Sequence, residues 1–464
     1  MMEVDIGRYS VLLTRCNGKY SAIGNQCTHY GAPLVLTGHK VRCPWHGSCF
    51  NAVTGDLEEF PGIDSLPCHK VRIQNSKVYV TINKKIGAAS LICAETLRQE
   101  NFGGRIIMAS RDDLLPYDKT RLSKVMNVLS DTIVLRRMEF FHQYGIEVWL
   151  RKEAMSVDTE KKTVTFADGL VQSYDQLLLS TGCAKGLDVP GMKLDNIKML
   201  ETPEDARQIH AACLGCNVVL VGTSFVMEVA SYMIGKASTI TVVGSSEMPY
   251  QNTLGLEVGK ITMMMLLENG VKFYMNDHVM EIKGVNGKVK EIVLKSGNII
   301  PADVLIVGIG SLPNSEYLRG TKIQMNAKNF VVVDKYMQTN IPDVFCAGDL
   351  ASFPLAVAKN QLVNIGHWQM AQAQRIAALN MLKKTTELTS VPYYWTVLLG
   401  RTIRYAGYGE GYTEIVLKGN YESEERKFLA NDEVIAAVGL NYDPVVSAVA
   451  ERLLSGKVIT KKEA

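Results

Sequence analysis

No apolar run in the sequence approaches the roughly 18–20 residues needed to cross a bilayer. The opening segment MMEVDIGRYS also lacks the apolar core of a secretory leader. The expectation is therefore a chain that neither spans a membrane nor is exported. That segment leans acidic and is no transit peptide either. A charge excess is missing as well: 50 Lys and Arg face 47 Asp and Glu, the net charge is +3, and no basic block exceeds three residues. Such a chain carries no footprint for nucleic acid, and small-molecule chemistry is favoured. Cysteine is sparse, ten in 464 residues with unequal spacing, which excludes a disulfide scaffold and fits a reducing intracellular compartment. Short-period repeats and low-complexity tracts are absent. A composition of 47% apolar and 21% charged residues excludes a largely disordered or collagen-like chain. The length exceeds what one core supports, and at roughly 150 residues per domain it implies about three domains.

Three textures are present. Residues 1–83 read as short alternating runs (Val11-Leu12-Leu13, Val71-Arg72-Ile73, Val78-Tyr79-Val80) broken by Gly, Pro and Asn, the pattern of a small all-β domain. From Lys84-Lys85 to about residue 380, helical stretches alternate with apolar strands, as in α/β proteins. Within that region, residues 217–243 read as strand, Gly-containing turn, helix and strand, a mononucleotide-binding half. From Val391 onward Tyr, Trp and Gly become frequent and strands return.

The most specific motif is Cys27-x-His29, thirteen residues, then Cys43-x-x-His46. Two thiolates and two imidazoles can hold tetrahedral zinc, or a [2Fe-2S] cluster with both cysteines on one iron and both histidines on the other. Zinc modules generally use Cys-x2-4-Cys knuckles. The Cys-x-His and Cys-x-x-His loops, each carrying Gly or Pro, instead resemble Rieske proteins. Ala32 and Trp45 stand where membrane-complex Rieske domains carry two further cysteines, so the resemblance is to the soluble, ferredoxin-like branch. Cys49 lies outside the pattern and reads as packing.

The segment from Thr339 to Asp349, TNIPDVFCAGD, resembles the second FAD motif of the two-dinucleotide-domain flavoproteins. An apolar strand ends at Ala347-Gly348, Asp349 is placed for the ribityl chain, and a helix is expected to follow at the pyrophosphate. Leu177-Leu178-Leu179-Ser180-Thr181-Gly182 matches the exit from the FAD domain. With LPYD (115–118), Leu122-Ser123-Lys124 and Gly366-His367-Trp368-Gln369, it resembles the Rieske-fused members of the apoptosis-inducing-factor branch over nearly the whole chain.

This resemblance implies a multi-domain chain: an N-terminal all-β Rieske domain (1–83), two α/β dinucleotide-binding, Rossmann-like domains and a C-terminal α+β reductase-type domain (391–464). The FAD-binding domain comes in two parts (84–200 and 313–390) around an NAD-binding domain (201–312). It implies an FAD-dependent NAD(P)H oxidoreductase that passes electrons from NADH through FAD to the cluster and on to an unspecified acceptor, with links to apoptosis. Catalytic roles fall to Lys124, by the reactive edge of the flavin, and to its partner Glu228, while His367 and Trp368 flank the ring. A cation there stabilises an anionic reduced flavin. FAD contacts further include Gly87, Thr181, Gly182 and Asp349. For the nicotinamide nucleotide, Gly222 opens a helix after a strand, Gly308 and Gly310 end a return strand, and Glu247 follows the next strand with no Arg or Lys adjacent. A 2′-phosphate then lacks a partner, which favours NADH over NADPH. Expected partners are NADH, the acceptor and a second copy in a homodimer. The family suggests mitochondria; the sequence alone fits the cytoplasm equally.

The chain departs from that pattern in places. The first FAD fingerprint reads INKKIGAAS, with Lys85 where a first glycine belongs and no apolar strand before it, so a central strand is expected to be missing. GTSFVME is one residue short before Glu228. A lost helical residue rotates the helix by about 100°, so Glu228 is expected to miss its partner. AQAQRIAALN lacks a glycine before Arg375, and FLANDEVIAAVG is shortened at a hairpin. These losses motivate a second reading, an iron–sulfur binding or interaction protein whose flavin domain is empty. Cys213-x-x-Cys216 precedes a strand, at the sheet end away from ligands, and is not read as a redox pair.

Overall fold

The computed structural model describes residues 2–6, 9–16, 19–27, 32–37, 40–45, 47–55, 57–59, 66, 68–74, 77–81, 92–184, 186–310, 312–364, 370–420, 423–430, 432–441 and 445–463. Among these, no helix is long and apolar enough to cross a membrane.

The N-terminal part is built of two antiparallel sheets. One runs in the order Met2–Ile6, Tyr9–Cys16, Lys19–Gly24, Cys68–Gln74 and Lys77–Thr81; the other is a meander of Val35–Thr37, Lys40–Arg42, Cys49–Asn51 and Leu57–Glu59. Alternating apolar residues from both, including Leu12, Ile23, Val41 and Phe50, form one core. The Thr14 hydroxyl donates to the Ala52 carbonyl at 2.6 Å and ties the sheets together.

In the middle of the chain a parallel sheet runs in the order Ile197–Lys198, Val304–Val307, Asn217–Val221, Thr239–Val243 and Lys272–Tyr274. NVVLV and TITVV are near-continuous apolar runs because both faces of these strands are covered: Val218 and Leu220 pack on helix residues such as Ile209 and Ala230, and Val219 and Val221 pack on Ile282 and Ile292 of an antiparallel sheet. The helix Pro203–Cys213 starts at a capping box, with Asp205 N–H donating to Thr202 Oγ1 at 3.2 Å and Thr202 N–H to Asp205 Oδ2 at 2.8 Å. An antiparallel three-stranded sheet, Val279–Val285, Lys288–Leu294 and Ile299–Pro301, completes this unit.

Around it, Ile106–Ala109 pairs in parallel with Ile146–Trp149, and Leu177–Leu179 with Val344–Cys346. Among the described residues these pairs belong to separate sheets, with no strand joining them. The segment expected to have lost the joining strand, with Lys84, Lys85 and Gly87, lies outside the described residues. The helix expected directly after Asp349 does not form. ASFPL makes a strand, Ala351–Leu355, paired with Gln361–Asn364, because its apolar residues pack into the core beside Val331 and Leu350. The next helix is Met370–Met381, unbroken through Arg375, which packs on helix Ile92–Gln99.

The C-terminal part is an antiparallel sheet in the order Tyr393–Leu398, Arg401–Gly407, Glu433–Leu440, Ser423–Ala430 and Glu414–Asn420, with helix Val445–Leu454 against it. The hairpin closes between Ala430 and Glu433, with a register shift between Phe428 and Leu429.

Candidate redox centre

Cys27 and Cys43 are 2% and 0% exposed and share one packed core. Each heads a closed loop: Cys27 N–H donates to Ala32 O (2.8 Å), Cys43 N–H to Ser48 O (2.7 Å), and Gly47 N–H back to Cys43 O (2.9 Å). Gly47 turns the second loop at φ +80°, a conformation that suits glycine. The buried Arg42 holds it there, its Nη1 donating to Gly47 O at 2.9 Å. Two buried sulfurs in two tight loops fit the thiolate half of a histidine-ligated cluster. His29 and His46 lie outside the described residues. Cys49 is wholly buried in strand Cys49–Asn51, in line with a packing role.

Lys124 and Glu228, 104 positions apart, are brought together: Nζ lies 2.8 Å from Oε2. The carboxylate is only 1% exposed, a costly position that its partners offset. Ser123 Oγ donates to the same oxygen, and Thr396 Oγ1 donates to Oε1 at 2.6 Å. The ammonium also reaches Thr120 O at 3.1 Å and sits 4.5 Å over the Trp395 ring. The expected loss of this pairing is therefore overturned. The helix begins only at Val226, after Ser224 and Phe225 form a tight turn (Glu228 N–H to Phe225 O, 3.0 Å), so the missing residue leaves no upstream helix to rotate. Tyr250 and Tyr394 pack nearby with ring centroids 6.1 Å apart; burial first, and Glu228's charge in addition, push both phenols far above their ordinary pKa. Both therefore stay protonated at neutral pH.

At the strand ends where a flavin nucleotide would lie, Thr181 Oγ1 donates to Asn314 O (2.8 Å), and Gly182 takes φ +66°. Gly348 takes φ +81° just before Asp349, whose carbonyl accepts from Asn364 Nδ2 at 2.8 Å. These backbone approaches fit the second half of an FAD site. Gly87, His367 and Trp368 lie outside the described residues. In the central sheet Gly222 (φ +131°) and Gly308 abut, since a Cβ on Gly222 would fall 2.8 Å from Gly308 O. This close approach fits a strand-to-helix turn under a dinucleotide. Gly310 follows at φ +83°, and Glu247 is exposed beyond strand Thr239–Val243. Cys213 ends a helix before Asn217–Val221, and burial pushes its thiol up to about 12, which leaves it without nucleophilic thiolate.

Sequence reasoning missed Thr396, Tyr393 and Arg404. The available signal was an arginine in the apolar strand Arg401–Gly407, directly opposite Trp395 in the ladder. Its side chain is 1% exposed.

A parallel sheet with glycine turns, a buried Lys–Glu pair and two buried thiols in short loops define a redox protein of two joined halves. The chain belongs to the pyridine nucleotide-disulphide oxidoreductase family, whose model matches residues 86–374, and the Rieske [2Fe-2S] domain model matches residues 1–70. It is 45% identical to human apoptosis-inducing factor 3 over 504 residues, covering 100% of this chain and 83% of that protein. The matched length exceeds the 464 residues present here, in keeping with internal losses. Rubredoxin-NAD(+) reductase of Pseudomonas putida is 30% identical, over 76% of this chain and 94% of the relative. Among solved structures, the ferredoxin reductase for the CYP199A2 system of Rhodopseudomonas palustris matches with a TM-score of 0.76 at 23% identity, covering 80% of this chain and 94% of that one. The covalent putidaredoxin reductase–putidaredoxin complex matches at 0.74 and 23%, covering 79% and 90%. The fold is thus that of ferredoxin-reductase-like NAD(P)H oxidoreductases with an added Rieske domain.

Proposed function

We propose that this chain is an NADH-dependent flavoprotein reductase whose first electron acceptor is its own Rieske cluster, and whose final acceptor is a one-electron carrier of the class named in its reductase relatives. FAD, when bound, supplies the conversion of a hydride pair into single electrons, and a [2Fe-2S] cluster supplies a one-electron store. Cys27, His29, Cys43 and His46 would hold the cluster. Thr181, Gly182 and Asp349, with Gly87, His367 and Trp368, would hold the flavin. Gly222, Gly308 and Gly310 would admit NADH, and Glu247 would take its ribose hydroxyls, where a 2′-phosphate would be repelled. Lys124 keeps a cation at the flavin edge, and Glu228 fixes its position. Thr396 and Ser123 hold the carboxylate so that it does not swing toward solvent. The relatives' name extends the proposal to apoptosis, and the family resemblance extends it to mitochondria, checked by fractionating cells that express the tagged chain.

The observation that supports this reading best is the Lys124–Glu228 pair, intact at 2.8 Å across a shortened motif. A second reading, an iron–sulfur module with an empty flavin half, is favoured by the two strand pairs left in separate sheets. One experiment separates them: iron, zinc, flavin and NADH oxidation measured together on the purified chain. Two irons and one NADH-bleached flavin per chain support the reductase, and iron without flavin after reconstitution supports the second reading. One zinc and no iron overturns both.

A further inference from the structure

The second cluster loop is packed directly onto the C-terminal hairpin. Arg404 Nε donates to Pro44 O at 3.4 Å, while its Nη1 donates to Thr396 O (3.3 Å) and Ile403 O (3.0 Å). Beside it, a Cβ on Gly47 would fall 2.2 Å from the Tyr393 ring, so the loop lies flat on that ring. Arg42 stacks over the other part of the contact, with its guanidinium carbon 5.5 Å from the Tyr393 centroid. Away from the loop, Arg375 Nη1 donates to Leu57 O at 3.2 Å, which ties the reductase half to the N-terminal part at a second point.

Arg42 and Arg404 are among the largest fully buried side chains of the molecule. A guanidinium withdrawn from water is costly unless its donors are met, and for Arg404 the acceptors come from both halves of the chain. Removing either half would leave the cation short of partners, so its burial favours the docked arrangement. Thr396 faces two ways: its carbonyl accepts from Arg404, and its hydroxyl donates to Glu228, which holds Lys124. Trp395, the residue before Thr396, lies under the Lys124 ammonium.

We infer that Arg404 is a positioning residue that fixes the cluster loop on this hairpin and couples it, through Thr396, to the Glu228–Lys124 pair. The inference rests on the proposed flavin-edge role of Lys124 for its functional meaning, and on geometry alone for the docking. The planar guanidinium aims separate nitrogens at Pro44 O and at Thr396 O and Ile403 O, a fixed fork that one ammonium nitrogen on a flexible stem does not reproduce.

The test uses the full chain as purified, comparing wild type with R404K, R404M and T396V by hydrogen–deuterium exchange and by electron paramagnetic resonance of the chemically reduced cluster. In both Arg404 variants the peptide spanning residues 43–49 should exchange about tenfold faster, with residues 217–243 unchanged as the internal check on folding. The resonance g-values should shift with the loop. In T396V the loop should stay protected, because the carbonyl remains, while exchange near Glu228 rises. R404K and R404M loops as protected as wild type, with unshifted g-values, would overturn the inference. A loop that loosens as expected in protein that binds no flavin upholds the docking and sinks only the proposed reductase activity.

Discussion

Glu228 shows how one side chain commits several others. Its carboxylate is buried, and its compensation comes from the adjacent Ser123 and Lys124 of one segment and from Thr396 of another. Removing the carboxylate strands an ammonium and two hydroxyls, so Glu228→Ala should cost about 3 kcal/mol of stability in urea unfolding. Glu228→Gln keeps one acceptor oxygen for one of the two hydroxyls and offers the other an amide N–H that it can turn to accept, so it should cost clearly less, while disturbing the flavin edge more than the fold. Equal losses in the two variants would mean that packing, not the pair, sets the cost. The thiols give a second prediction. Burial raises the folded-state pKa of Cys213 to about 12. Its thiol therefore stays protonated at neutral pH and ionises only as pH approaches that value. Alkylation followed by mass spectrometry should find native Cys213 unmodified at pH 8 and readily modified once the chain is unfolded. Fast native modification would restore the redox reading of Cys213 and Cys216.

At the scale of elements, the sequence made the parallel strands legible because runs such as NVVLV and TITVV have few alternatives to a doubly covered sheet. It misread ASFPL after Asp349, where the fingerprint suggested a helix and tertiary packing chose a strand. It also misjudged the shortened turn before Glu228, since residue counting assumes a helix that has not yet begun. That Cys27 and Cys43 converge in one core was legible from their spacing. Arg404 was not, because nothing local announces that a strand arginine will meet a loop 360 positions away. Among the described residues, the two strand pairs in separate sheets are in line with the expected loss of a first strand. Placing a Val/Ile-rich strand and an intact Gly-x-Gly-x-x-Gly turn ahead of helix Ile92–Gln99 should raise FAD affinity about tenfold or more, about 1.4 kcal/mol. Flavin retained through gel filtration measures it. No gain would place the defect elsewhere than in that fingerprint.

Taken as a whole molecule, the two halves are joined through contacts that each needs the other to satisfy. The cluster loop rests on Tyr393 and lends Arg404 a carbonyl, while Arg42 is buried against that same tyrosine. A cluster held by Cys27 and Cys43, as proposed, would stabilise the N-terminal half by mass action, and its removal would withdraw that contribution. Once the loop loosens, both guanidiniums lose buried partners, and the hairpin loses the surface that covers it. The central parallel sheet, with its own core built from Val219, Leu305 and their neighbours, gains nothing from the cluster. Chelating the iron should therefore lower the unfolding temperature of the N-terminal part selectively and split one calorimetric transition into two. Hydrogen exchange should rise along residues 393–407 together with residues 43–49, while residues 217–243 hold their protection. A single transition at unchanged temperature after iron removal would show that the loop stays docked by protein contacts alone.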